Sequence, residues 1–309
     1  GIFLRMASSA TISGSYIRGS TAVFVNASTG TTLNYNIIIA TRAGAPAVKM
    51  NAGSVNHFMS SNVITGGPTG SGVFLDNNNK GLITLSTNTF NSGVNQQYGI
   101  RIGTQANAPS IWITSNTILP RLTATRITYG IYLNGLATGA TIQNNNIFYR
   151  TLAAGATSYG LWAQTTQKVN VDHNRISNPG MITTGGSFIG ARFQGVTNTS
   201  FKFNDVHSSG TALTQAYLLE LNGSTVIIRN NVFSSSVTPS ARGSTASISV
   251  SANSGFNSDY NSWHSSNNLN SSWWGNKTQQ FSSGWWNKDL NSVAANPLWP
   301  DTRALLEDF

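Results

Sequence analysis

Carboxylates are scarce in this 309-residue chain: Asp76, Asp172, Asp205, Glu220, Asp259, Asp289, Asp301, Glu307 and Asp308 are all it has. Acid–base chemistry therefore has few places to reside. The densest group is Asp172-His173-Asn174-Arg175, followed about 30 residues later by Asp205 and His207. Asp, His and Arg together suit proton transfer or the binding of an acidic sugar. The competing reading is a set of solvated corner residues that hydrogen-bond their own turns. Spacing favours the second: Asp172 lies two residues before a recurring Asn and Asp205 one residue after its own, so the two need not face the same way. Catalytic residues are therefore expected to be none, with Asp172, His173, Arg175, Asp205 and His207 as the alternative. No Asp cluster recurs in neighbouring repeats, so no calcium site is read. The absence of cysteine excludes disulfides, Cys-ligated zinc and a thiol nucleophile. No metal or cofactor is expected. His57 and His264 stand alone, and His57 falls on an inward phase, as a structural residue would.

A second chemistry lies in one outward-facing column. It reads Phe24, Lys49, Phe74, Arg101, Tyr132, Trp162, Arg192, Glu220 and Ser249, at single steps of the repeat. Aromatic rings stack on sugar rings, and Arg or Lys binds hydroxyls and acids. The same residue types anchor protein interfaces. An ordinary exposed sheet, or one covered by other segments, remains a third reading. Phe58 and Trp112 add aromatics from another column, Phe58, Thr84, Trp112, Thr141, Asn170, Lys202, Ile227 and Asn257, which is too irregular for an ice-binding Thr array. The candidate binding residues are Phe24, Phe74, Arg101, Trp112, Tyr132, Trp162 and Arg192, with other protein subunits or an extracellular polysaccharide as partners.

The elements that position these residues come from a repeat. Val23, Val48, Val73, Ile100, Ile131, Leu161, Ala191, Leu219 and Ile248 recur every 25–31 residues, each followed two residues later by a further inward position. Such alternation marks a strand with one buried face. The second half of each unit reads apolar, x, apolar, x, x, Asn, x, apolar. Its Asn residues are Asn62, Asn88, Asn116, Asn145, Asn174, Asn204, Asn231 and Asn261. The stretch Phe201-Lys202-Phe203-Asn204 reads as one residue short. Asn suits a left-handed corner and can stack as an amide ladder. The pattern predicts an all-β fold: a single-stranded right-handed parallel β-helix, or solenoid, of about ten coils over 1–263. Residues 264–309, with Trp273-Trp274, Trp285-Trp286 and Trp299, are read as a C-terminal cap over the last hydrophobic coil, with a sugar-stacking patch as the alternative. Ile2 to Ile17 reads as a degenerate coil.

Apolar residues make up 39% of the chain and charged residues only 9%, enough for a continuous core under a Ser-, Thr-, Asn- and Gly-rich surface. The net charge of +9 is spread without a basic block, so it favours weak attraction to polyanions but carries no nucleic-acid motif. No apolar run approaches a membrane span. The chain opens mid-pattern at Gly1-Ile2-Phe3-Leu4, and its targeting segments are expected to lie outside it.

The run from Phe281 through Trp285-Trp286, Asp289 and Ser292 to Asn296-Pro297-Leu298-Trp299, after the corner Asp259-Tyr260-Asn261, resembles the closing segment of right-handed parallel β-helix domains in secreted and cell-surface bacterial proteins. That resemblance implies an exported, adhesin-like rod. The fold is shared with polysaccharide lyases, glycoside hydrolases and phage tailspikes, so an enzyme acting on an acidic polysaccharide is the second expectation.

Overall fold

The structure, a computed structural model, describes residues 1–51, 53–91, 95–105, 110–120, 127–135, 139–149, 154–179, 186–250 and 254–265. Among the described residues there is no helix, and the strands pair in parallel. The chain winds as a β-solenoid with three strands per coil. In one coil these are Tyr98–Ile102, Ser110–Thr114 and Thr117–Leu119. The next coil sets Ile131 on Ile100, Ile142 on Ile113 and Ile147 on Ile118. The first-strand column predicted from Val23 to Ile248 is in register throughout. Ile2 extends it by pairing with Val23, so the stretch read as degenerate is a regular coil.

Second strands form a 10-stranded sheet. First and third strands form two more, joined into one 18-stranded network by Asp205–Asn222 and Val232–Val250, which each run from the third strand of one coil into the first of the next. The expectation of about ten like coils is corrected here. Among the described residues seven coils have three separately bounded strands, and the fused strands follow them. Across the fusion Ser208 pairs with Ser235 and Thr211 with Thr238, so these corners keep their ladder bonds without a separate turn. The cap expected over 264–309 lies, from residue 266 on, outside the described residues.

Each coil contributes a set of inward side chains, such as Ile100, Ile102, Ile111, Ile113 and Ile118, all at most 1% exposed. Burial contributes about 2 kcal/mol per side chain. A lone coil would leave the whole set open, so the core exists only through stacking. His57 occupies an inward position beneath Ile83, is 2% exposed, and has no partner for either ring nitrogen among the described residues. Burial lowers its pKa to about 4.

The corner between second and third strands divides the work that the sequence assigned to one Asn. The left-handed residue is the one before it: Tyr35, Ser61, Thr87, Ser115, Asn144, His173, Phe203, Asn230 and Tyr260 all have φ of 52–57°. The Asn that follows turns inward and joins a ladder running Asn36, Asn62, Asn88, Asn116, Asn145, Asn174, Asn204, Asn231 and Asn261. Oδ1 of Asn116 accepts from both the backbone N–H (2.9 Å) and the side-chain Nδ2 (3.1 Å) of Asn88. Its own Nδ2 donates to the Leu85 carbonyl (2.8 Å) and to Asn145 Oδ1 (2.9 Å). The unit at Asn204 is not short: Phe201 is the inward residue and Phe203 the left-handed one. Ser200, rather than Lys202, therefore stands with Asn170 and Ile227, while Lys202 lies between Asp172 and Arg229.

Two outcomes follow. Asn116→Ala leaves two buried donors of Asn88 without an acceptor, and at 1–3 kcal/mol for each unsatisfied buried group the expected loss is about 3 kcal/mol in urea unfolding. His57 stays neutral when folded while the unfolded chain binds a proton below pH 6.5, so its own contribution to stability is lost as pH drops from 6.5 to 4. The shift corresponds to about 3 kcal/mol. Replacing it with isoleucine (His57→Ile) is expected to raise stability over the unsubstituted chain by an amount that grows as pH drops from 6.5 to 4, read in paired unfolding curves.

Candidate functional site

The outward face of the first strands is shaped by a glycine column. Gly99, Gly130, Gly160 and Gly190 lie so close to the next coil and to the third strand that a Cβ would come within 2.3–2.6 Å of a neighbouring carbonyl oxygen or of the Ile118, Ile147, Ile176 or Val206 side chain. Only glycine fits there. The residue before each glycine is thereby set on the outer side of the sheet, next to the residue two places after it; Tyr98 is half-buried there, and Tyr129, Tyr159 and Ile189 form a buried cluster with it. Two columns result side by side. One is Tyr98, Tyr129, Tyr159, Ile189 and Tyr217, and the other is Phe74, Arg101, Tyr132, Trp162, Arg192 and Glu220.

These side chains pack against one another. Tyr129 stacks on Tyr98 (4.8 Å between centroids, 7° between planes) and on Tyr159 (5.3 Å, 11°). Trp162 leans on Tyr159 at 4.7 Å and meets Tyr132 edge-on at 5.7 Å. A guanidinium closes each end. Arg101 lies 4.7 Å from the Phe74 ring and 5.0 Å from Tyr98, and Arg192 lies 4.6 Å from Trp162 and 5.8 Å from Tyr159. Arg192 also donates to the Tyr159 hydroxyl (3.3 Å) and pairs with Glu220 (3.5 Å). Burial raises the pKa of Tyr98, Tyr129, Tyr132 and Glu220; Arg101 offsets part of this for Tyr98 and Tyr132, and Arg192 part of it for Tyr129 and Glu220. The Tyr132 hydroxyl donates to Gln164 Oε1 (3.0 Å), within a third column of Asn134, Gln164, Gln194 and Asn222.

Toward the N-terminus the column thins. Phe24 stacks on Phe3 at 5.1 Å, and Lys49 sits 5.7 Å from both Phe24 and Phe74 while pairing with Asp76 at 3.2 Å. Trp112 is on the second-strand sheet, half exposed, two coil steps from Phe58, and so belongs to a different face from the other candidates.

The Asp–His–Arg group straddles the second corner. Asp172 ends its second strand and pairs with His173 at 2.9 Å, and His173 stacks on Phe203 at 5.0 Å. Asp205 opens a third strand, past the corner, 3.8 Å from Arg175. Burial raises its pKa to about 7, and Arg175 offsets only part of that. His207, two residues on, shares a 2.7 Å hydrogen bond with Ser234. A shallow cavity of about 320 Å³ at this corner is lined by Thr117, Asn144, Asn145, Asn146, His173 and Arg175. Neither carboxylate lines it. Among the described residues no three His, Asp or Glu side chains gather as a metal site.

The tyrosine column escaped the reading of outward positions, because strict alternation assigns Tyr98 and Tyr129 to the interior with Ile100 and Ile131. The recurring Tyr-Gly pair was the available signal, since glycine is where a strand departs from alternation. The fold defines the chain as a parallel β-solenoid with an aromatic and cationic outer face. No model of a known protein family matches it, and no curated protein matches it as a relative.

Asp205 keeps its proton to higher pH when folded than when unfolded. Its burial therefore costs stability as pH rises from about 4 to 7, with the full cost present above 7. Asp205→Asn is expected to raise the unfolding midpoint at pH 8, with the gain over the unsubstituted chain shrinking as pH falls from 7 to 4.

Proposed function

We propose that this chain is a non-catalytic extracellular or cell-surface rod that presents its first-strand face to a glycan or to another protein. The observation that carries the reading is the gathering of Tyr98, Tyr129, Tyr132, Tyr159 and Trp162 between two guanidiniums on the outside of a sheet. Solvated sheet surfaces are normally polar, and aromatic residues with Arg are the side chains favoured at contact surfaces. Stacked coils also give a stiff support, which suits display.

The second reading is a polysaccharide lyase or glycoside hydrolase. Asp205, with its pKa near 7, has the property that favours it, since a proton-transfer group works best near the ambient pH. Against it stands the corner geometry: Asp205 and Asp172 lie on different strands either side of the turn, and neither lines the cavity.

Binding of the purified chain to a glycan array and to a panel of cell-surface proteins tests the proposal. Trp162→Ala is expected to weaken binding at least tenfold and Trp112→Ala, on the other face, less than twofold. Tyr132→Phe, which removes only the hydroxyl bonded to Gln164, is the milder variant should Trp162→Ala fail to fold. Depolymerisation of an acidic polysaccharide, abolished by Asp205→Asn, would overturn the reading in favour of the enzyme.

A further inference from the structure

We infer that the ligand of the first-strand face is an anionic polysaccharide lying along the rod axis, with an acid group taken by Arg101. This rests on the reading of the face as a contact surface and adds the chemistry of what it contacts.

Periodicity comes first. The face repeats at each coil, about 4.8 Å apart, in three adjacent columns of tyrosines, of rings and guanidiniums, and of amides. A surface that offers similar groups at a fixed step fits a ligand that is itself a repeat. Protein anchors instead fill one central desolvated pocket, and here the ring faces are already occupied by each other and by the guanidiniums.

Polar edges come second. The half-buried Asn134, Gln164 and Gln194 side chains form a row of amides that supplies polar groups for sugar hydroxyls.

Charge decides the class. Among the described residues Arg101 has no carboxylate within ion-pair distance, whereas Lys49 has Asp76 and Arg192 has Glu220. Its guanidinium is held in place by Phe74 and Tyr98, so little freedom is lost when an anion binds it. Arg192, three coil steps away and roughly 14 Å along the axis, already has its charge met by Glu220. The surplus of nine positive charges adds long-range attraction.

Affinity electrophoresis and calorimetry of the full chain test this with polygalacturonate as a carboxylated glycan, dextran sulfate as a sulfated one and dextran as a neutral one. The inference expects binding of at least one polyanion, no binding of dextran, and a loss of tenfold or more between low and high salt. Arg101→Gln is expected to weaken polyanion binding at least tenfold, and Tyr98→Phe two- to fivefold. Arg18→Gln with Lys168→Gln, both off this face, should change it less than twofold. Which polyanion binds assigns the acid group as carboxylate or sulfate.

Equal loss in the off-face variant would reduce the effect to unspecific polycation binding and overturn the inference. Equal binding of dextran and polygalacturonate, both lost in Trp162→Ala, would overturn the charge assignment yet leave the face as a glycan surface. Binding of a protein partner alone, lost in Trp162→Ala, would likewise overturn the inference while the contact surface stands. If no ligand responds to Trp162→Ala or Tyr132→Phe, the contact surface itself falls.

Discussion

Every coil of this solenoid must turn a corner without stranding a polar group in the core, and the asparagine ladder is the interaction that solves this. From Asn62 to Asn231 each ladder oxygen accepts two hydrogen bonds from the coil before it, and each ladder nitrogen donates to a carbonyl and to the coil after it. The groups that a tight turn would leave unpaired are thereby closed within the column. The residue before each Asn bears the conformational cost. Tyr35, Phe203 and Tyr260, residue types that resist positive φ, adopt it at the same corner as Gly14 and Asn144. That such bulky residues are tolerated there shows how strongly the ladder and the stacked core dictate the backbone.

Fixing the corner fixes the phase of everything after it. Third-strand residues Ile118, Ile147, Ile176 and Val206 are placed against the glycine column, and no Cβ can intervene. The glycines in turn place the tyrosines outside, beside Arg101, Tyr132, Trp162 and Arg192. The aromatic face is thus a consequence of core packing one strand away. It also explains why the face is confined to the middle coils. Where the glycine column gives way to Leu218, the tyrosine stack has already been interrupted by Ile189, and the neighbouring column passes to Glu220.

The fold was largely legible because burial imposes strict periodicity on inward residues. Val23 to Ile248, and the asparagines from Asn62 onward, keep their columns in three dimensions. Asn36 and the first coil were harder to read, since their surroundings are less apolar. Phe203 misled because an exposed left-handed Phe looks, in sequence, like an inward one. Outward positions carry no such constraint. Arg101, Tyr132 and Trp162 could be assigned to one column, but ring stacking, the guanidinium caps and the outward turn of Tyr98, Tyr129 and Tyr159 depend on the glycine contacts, which strict alternation conceals. The Asp172–Asp205 group looked compact in sequence because about 30 residues make one coil, and the corner between them separates the two carboxylates.

Oxidative footprinting of aromatic side chains, with and without a bound acidic polysaccharide, tests most directly whether contact resides on the first-strand face. The account requires Tyr98, Tyr132 and Trp162 to be protected from hydroxyl radicals, while Trp112, Tyr35 and the corner pair His173 and Phe203 react as before. Protection centred on His173 and Phe203, with Tyr98, Tyr132 and Trp162 unchanged, would contradict it and move the site to the corner.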